Sequence, residues 1–132
     1  MADEVPAAFQ SLLSDNRAFA HLATVMSDGS PQVTPVWFDT DGGKIRVNTA
    51  KGRVKAHTMK EGARVALSIL DPDNAYRYVQ IRGEVTRATE DGADAHIDAL
   101  SQKYLGKTYP FRQAGEERIM YEITPDSVQT MG

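Results

Sequence analysis

Cysteine is absent from this chain of 132 residues, so disulfides, thiolate nucleophiles and cysteine-ligated metals are all excluded. Histidine is scarce. His21, His57 and His96 are the full set, and no two of them stand at the i, i+4 spacing that puts a pair of metal ligands on one helix face. Each reads as a structural or surface group, and no metal site is expected. No serine occupies a Gly-x-Ser-x-Gly elbow, the turn that presents a hydrolase nucleophile. Long apolar runs are missing too: no stretch approaches the roughly 20 residues needed to span a bilayer, and no membrane partner is expected. The opening Met1-Ala2-Asp3-Glu4-Val5-Pro6 has neither the basic start nor the apolar core of a secretory signal. With the lack of cysteine, this points to a cytoplasmic protein. A net charge of −3 and a pI near 5.6 lack the positive excess of a nucleic-acid binder. The acid pairs Asp71 with Asp73, and Glu116 with Glu117, fall in turn-like or exposed contexts and read as solvated residues.

What remains is the composition of a folded protein, 41% hydrophobic and 25% charged, sufficient for one core and a single domain over residues 1–132. Within it one charge asymmetry carries information. The 21 residues from Lys44 to Arg64 hold seven of the fifteen Lys and Arg against one acid, Glu61, a local charge of about +6. Its densest part, Thr49-Ala50-Lys51-Gly52-Arg53-Val54-Lys55, lies where an alternating strand gives way to a short helix, a junction whose free N–H groups suit a phosphate. Arg53 could grip phosphate with its fork, Lys51 and Lys55 could add point charges, and Gly52 lets the backbone approach. Side chains two apart on a regular helix diverge, so Arg53 and Lys55 converge only if Arg53 lies at or before the irregular first turn. A solvated basic face is the alternative.

Pro6 and the apolar Phe9, Leu12 and Leu13 predict a short first helix. Period-two patterning then predicts strands over Phe19–Met26, Pro31–Phe38 and Lys44–Ala50, joined at Asp28-Gly29 and Asp41-Gly42-Gly43 as an antiparallel meander. A basic helix over Arg53–Lys60 ends at Gly62, and Val65, Leu67 and Ile69 begin another strand. A long strand follows the turn Asp71-Pro72-Asp73-Asn74, with Val79, Ile81, Gly83 and Val85 on one face and Tyr76, Tyr78, Gln80, Arg82 and Glu84 on the other. Ala93, Ile97, Leu100 and Tyr104 predict a helix over Asp91–Leu105, stopped by Gly106. A loop over residues 106–114 leads to two last strands, Arg118–Ile123 and Ser127–Met131, divided at Pro125. The fold class is mainly β: six or seven antiparallel strands with small peripheral helices, a sheet expected to curl into a barrel and so remove its exposed edges.

The ordered set Phe19–Val25, Asp28–Phe38, Ile45–Thr49, Lys51-Gly52-Arg53-Val54-Lys55, Gly62–Leu67 and Val79–Val85 resembles short members of the pyridoxamine-phosphate-oxidase-like split β-barrel (FMN-binding split barrel) family. Among these it looks most like the branch that uses the deazaflavin coenzyme F420, and the likeness runs over roughly residues 9–131. The resemblance implies a homodimer with a cofactor groove between protomers. It implies that Arg53, Lys55 and the backbone of Ala50, Lys51 and Gly52 hold the phosphate. The ring would lie against Gln32, Val33, Thr34, Pro35 and Val36 of one strand and Val47, Asn48 and Thr49 of another, with Trp37 nearby, while Tyr76 and Tyr78 serve the partner's side of the pocket.

The expected activity is hydride transfer from reduced coenzyme F420 to a conjugated small organic acceptor, held about 3–3.5 Å from the donor carbon in a dry cleft lined by Pro35, Val36 and Trp37. The cofactor supplies the reactive atoms, so no catalytic side chain is expected. Two alternatives stay open: an FMN-dependent reductase or oxidase on the same barrel, since FMN would use the same phosphate grip, and a non-catalytic coenzyme carrier. The chain lacks the further phosphate-binding residues and the longer C-terminal extension of pyridoxal-phosphate-forming relatives, and the well-placed histidine of haem-binding ones. Tyr109, Phe111 and Arg112 in the 106–114 loop are candidates for shaping acceptor choice or touching the coenzyme's acidic tail.

Overall fold

The computed structural model describes residues 4–132, apart from the side chain of Val54. A 3-10 turn, Ala7–Phe9, runs into helix α1, Gln10–Ser14, and places Phe9, Leu12 and Leu13 in the core. Seven strands follow: β1 Ala20–Val25, β2 Pro31–Val36, β3 Asp39–Asp41, β4 Lys44–Ala50, β5 Arg64–Asp71, β6 Asn74–Thr89 and β7 Arg118–Met131. Helix α2, Val54–Thr58, follows β4, and helix α3, Ala93–Leu105, lies between β6 and β7. All strand pairs are antiparallel, in the order β2-β1-β5-β6-β7-β4-β3.

That order corrects the expected meander. Strand β4 does not pair with β2; it pairs with β3 and β7 at the opposite end of the sheet. Yet only Trp37 and Phe38 separate the end of β2 from the start of β3. Three residue steps reach about 11 Å at most, so the two edge strands must approach each other at one corner. The sheet therefore curls almost shut without hydrogen bonds across the gap, a split barrel. Its interior is filled by the inward phase of each strand, including Leu22, Ile45, Val47, Leu67, Ile69, Val79, Ile81, Val85 and Ile123, plugged by Phe38 and Met59.

A second correction concerns the last strands, which form one continuous strand of 14 residues. Pro125 has no N–H for a ladder, but it sits where the register slips: Arg82 faces Ser127 while Gly83 faces Pro125. The bulge absorbs the proline, and a glycine opposite it allows close approach. A Cβ on Gly83 would collide with the Thr124 carbonyl oxygen and press Ile123 Cγ2 at 3.1 Å. Gly83→Ala is therefore expected to cost about 1–3 kcal/mol of stability, read as a lowered denaturation midpoint in urea at unchanged slope.

The basic helix is shorter than the sequence suggests. Helix α2 covers five residues, and Arg53 is its N-cap with extended backbone, φ −78° and ψ 159°. Gly52, at φ +89°, makes the turn that delivers Arg53 there. Helix α3 begins at Ala93, buries Ala93, His96, Ile97, Leu100 and Ser101, and ends at Gly106, whose N–H bonds the Ser101 and Gln102 carbonyls. No helix among the described residues is long and apolar enough to cross a membrane.

Candidate functional site

Two anchors pin α3 beside the barrel seam. Tyr104 Oη donates to the Ala18 carbonyl at 2.8 Å and faces the Phe38 N–H at 3.4 Å, and burial pushes its pKa up to about 12. Lys103 Nζ donates to the Leu13 and Phe38 carbonyls at 2.9 and 2.7 Å, with burial holding its pKa down at about 8. The Tyr104 ring stacks between Phe19 and Trp37, with centroids at 5.2 and 5.4 Å. Tyr109 stands edge-on to Trp37, and Phe111 edge-on to Tyr109. This aromatic ladder ties the residue before β1, the β2–β3 connection, α3 and the 106–117 loop into one wall.

Beside that wall is a cleft of about 480 Å³ lined by Phe19, Pro35, Val36, Trp37, Asn48, Thr49, Arg53, Lys55, Ile97, Leu100, Tyr109, Phe111 and Arg118. Its position follows from the topology, because the end of β2 and the end of β4 belong to opposite halves of the curled sheet. Among the residues singled out from sequence, Pro35, Val36, Trp37, Asn48, Thr49, Arg53, Lys55, Tyr109 and Phe111 meet here. The others do not line the cleft. Gln32 and Thr34 are half-buried along β2 and Val33 is exposed; Val47 and Ala50 are buried; Gly52 serves the turn. Tyr76 is exposed and Tyr78 half-buried on the outer face of β6.

The charges of the basic segment are sorted in the same way. Lys44 pairs with Glu122, Arg46 with Asp39 and Asp41, and Arg64 with Asp126. Lys51 is held by Glu90 at 3.0 Å and Glu117 at 3.2 Å. Arg53 and Lys55 have no acid partner among the described residues, and both face the cleft. Burial, with Arg53's charge added, holds the Lys55 amine below its ordinary pKa. Two close cations, one of them partly desolvated and neither neutralised, form a site that an anion would stabilise.

Sequence reasoning missed Phe19, Ile97, Leu100 and Arg118 as lining residues. Arg118 could have been flagged, since it stands in phase with the buried Met120 on β7, an unusual position for a cation. It is 4% exposed. Its Nε donates to Asn48 Oδ1 at 2.8 Å, Asn48 Nδ2 faces the Ala93 carbonyl at 2.9 Å and His96 Nδ1 at 3.1 Å, and His96 Nε2 faces Asp39 Oδ1 at 2.9 Å. The amide donating to Nδ1 leaves the imidazole proton on Nε2, pointing at Asp39. Glu116, read from sequence as solvated, instead has a side chain 10% exposed against Arg118. Arg112 turns away from the cleft to Asp94 and Asp98 on α3. Among the described residues no carboxylate or imidazole lines the cleft, and no three His, Asp or Glu side chains converge as a metal site.

No curated protein matches the sequence. Among solved structures, an F420 reductase is 34% identical with a TM-score of 0.84, covering 95% of this chain and 98% of its own. A conserved hypothetical protein from Mycobacterium tuberculosis is 22% identical with a TM-score of 0.73, covering 99% of this chain and 88% of its own. An FAD and haem binding protein from Mycobacterium smegmatis is 16% identical with a TM-score of 0.68, covering 98% and 72%. These last two likenesses speak to the fold alone. The family model of pyridoxamine 5'-phosphate oxidase matches residues 5–132, and the chain belongs to that split-barrel family, which has an F420-dependent branch.

Proposed function

We propose that this protein is a cytoplasmic homodimer that binds coenzyme F420 in the cleft and reduces a conjugated small organic acceptor. The observation that carries the reading is the Arg53–Lys55 couple, unpaired with any acid among the described residues and set in the same cleft as an aromatic wall. The likeness to an F420 reductase over nearly the whole chain supports the choice of cofactor. When bound, the coenzyme supplies the hydride. Arg53 and Lys55 hold its phosphate, while Pro35, Val36, Trp37 and Phe111 exclude water from the ring. The acceptor gains two electrons as hydride at one carbon and a proton at its neighbour or oxygen. With no carboxylate or imidazole among the described residues that line the cleft, that proton comes from water or Tyr109. The outer face of β6 carries Tyr76, 76% exposed, and the edge strand β2 carries Val33, 63% exposed. Amphipathic and apolar groups in such places suit a dimer contact, through which Tyr76 and Tyr78 would reach the partner's cleft.

The test is titration of the purified protein with coenzyme F420, followed by fluorescence quenching, and then with the reduced coenzyme and a panel of enones, quinones and bilins. Quenching with consumption of the reduced coenzyme is expected. Flavin colour on purification without deazaflavin binding would replace the reading with an FMN enzyme, and binding without turnover across the panel with a carrier.

A further inference from the structure

Arg118 is the one cation lining the cleft that is almost fully buried, and most of its donors are unspent. Only its Nε–H makes a hydrogen bond, to Asn48. Its Nη1 lies 3.4 Å from Glu116 Oε2, within ion-pair range, but the angle is wrong for a hydrogen bond, and both atoms are shielded from solvent without one. Even a rotation that closed this contact would leave the other amino group's donors free. A forked cation buried with idle donors is costly unless a ligand or water takes them. The fork is also held in a fixed plane: Asn48 grips its Nε, His96 and the Ala93 carbonyl fix the Asn48 amide, Asp39 fixes His96, and the Tyr109 ring lies 5.3 Å from the guanidinium.

A phosphate is served elsewhere in the cleft by Arg53 and Lys55. The wall is aromatic, with Phe19, Trp37, Tyr109 and Phe111 offering ring faces and edges, which suits a planar ring in the ligand, and what a fixed N–H fork complements on such a ring is an in-plane carbonyl. We propose that Arg118 donates to the carbonyl edge of the pyrimidinedione of the bound ring. This rests on the proposed function, deazaflavin and flavin rings both presenting that edge.

The test measures Kd by fluorescence quenching for two ligand pairs, coenzyme F420 with its phosphate-free ribityl deazaflavin, and FMN with riboflavin. Wild type, Arg118→Met, Arg118→Lys and Arg53→Ala are compared, with inorganic phosphate as a competitor. Arg118→Met is expected to weaken the phosphate-free ring by about tenfold or more, weaken the phosphorylated ligand by the same factor, and leave phosphate competition unchanged. Arg53→Ala should affect the phosphorylated ligand alone. If Arg118→Met spares the phosphate-free ring, or abolishes phosphate competition too, the assignment is overturned in favour of a phosphate or structural role. Should Arg118→Met not fold, Arg118→Lys keeps a cation beside Glu116 but loses the fork, and the same ratio decides. If wild type takes the flavin pair and rejects the deazaflavin pair, the F420 reading falls and Arg118 is judged on riboflavin and FMN; if it takes none, both fall.

Discussion

Replacing Arg53 and Lys55 together by alanine is expected to weaken binding of the phosphorylated coenzyme by about 10²- to 10⁴-fold. Each charge-assisted bond to phosphate contributes about 1.5–3 kcal/mol, and roughly 1.4 kcal/mol is a factor of ten. Lys55 should account for more than its share per bond. It is half-buried, and Arg53 is exposed, so solvent screens the arginine more strongly. Lys51→Ala is the control that separates a site from a basic face. Lys51 is as close in sequence, but Glu90 and Glu117 neutralise it outside the cleft, and its removal should leave affinity nearly unchanged. Because burial and Arg53 hold Lys55 below its ordinary pKa, affinity should also begin to fall at a lower alkaline pH than an unperturbed lysine would dictate. Fluorescence quenching titrations across salt and pH check all of this. A double variant within about twofold of wild type would remove the phosphate assignment.

The contrast between Lys51 and Lys55 also shows where the sequence stops being legible. Local rules were sufficient for most of the strands, whose period-two apolar phase is what the barrel buries, whereas Gly52, read only as room for close backbone approach, is the turn that puts Arg53 at an N-cap. They were sufficient too for the buried face of α3, read from Ala93, Ile97 and Leu100. What decides which lysine stays free is the delivery of Glu90 from the end of β6 and Glu117 from the loop before β7, and no spacing encodes that. The same holds for β4. A turn of Asp and Gly near a strand invites pairing with the preceding neighbour, but sheet curvature hands β4 to β7, which is more than sixty residues away. Pro125 misled in the opposite direction, since its missing N–H ends a strand only where the ladder needs that donor, and a bulge opposite Gly83 removes the need. The surroundings of Arg118 were hidden for a related reason: Asn48 on β4, His96 on α3 and Arg118 on β7 come together only through three separate elements.

That buried chain of bonds makes Asp39 the residue whose loss should cost most in stability. Its carboxylate accepts Arg46 Nε and Nη2 at 2.9 and 2.7 Å and His96 Nε2 at 2.9 Å. Burial alone would raise the Asp39 pKa, but the bonds from His96 and Arg46 outweigh it and hold the carboxyl below its ordinary value. Asp39→Ala leaves the His96 N–H, on a side chain 2% exposed, and the Arg46 fork without an acceptor. Breaking a fully buried pair costs about 3–5 kcal/mol; since Asp39 and Arg46 retain 20% and 24% exposure, a loss of about 3 kcal/mol is expected, on the order of a 10 °C fall in Tm. Asp41→Asn, whose carboxylate is 68% exposed and 3.8 Å from Arg46, should stay within about 0.5 kcal/mol of wild type. The pH profile gives the sign independently. With the folded pKa below the unfolded one, the unfolded state binds more protons between the two, so the stabilisation from Asp39 is complete above about pH 4 to 5 and disappears as pH falls through the folded value. The gap between wild type and Asp39→Ala in urea denaturation should therefore be constant near neutrality and close in acid. A gap that persists unchanged at pH 2 would mean that Asp39 stabilises the fold by packing and not through its charge.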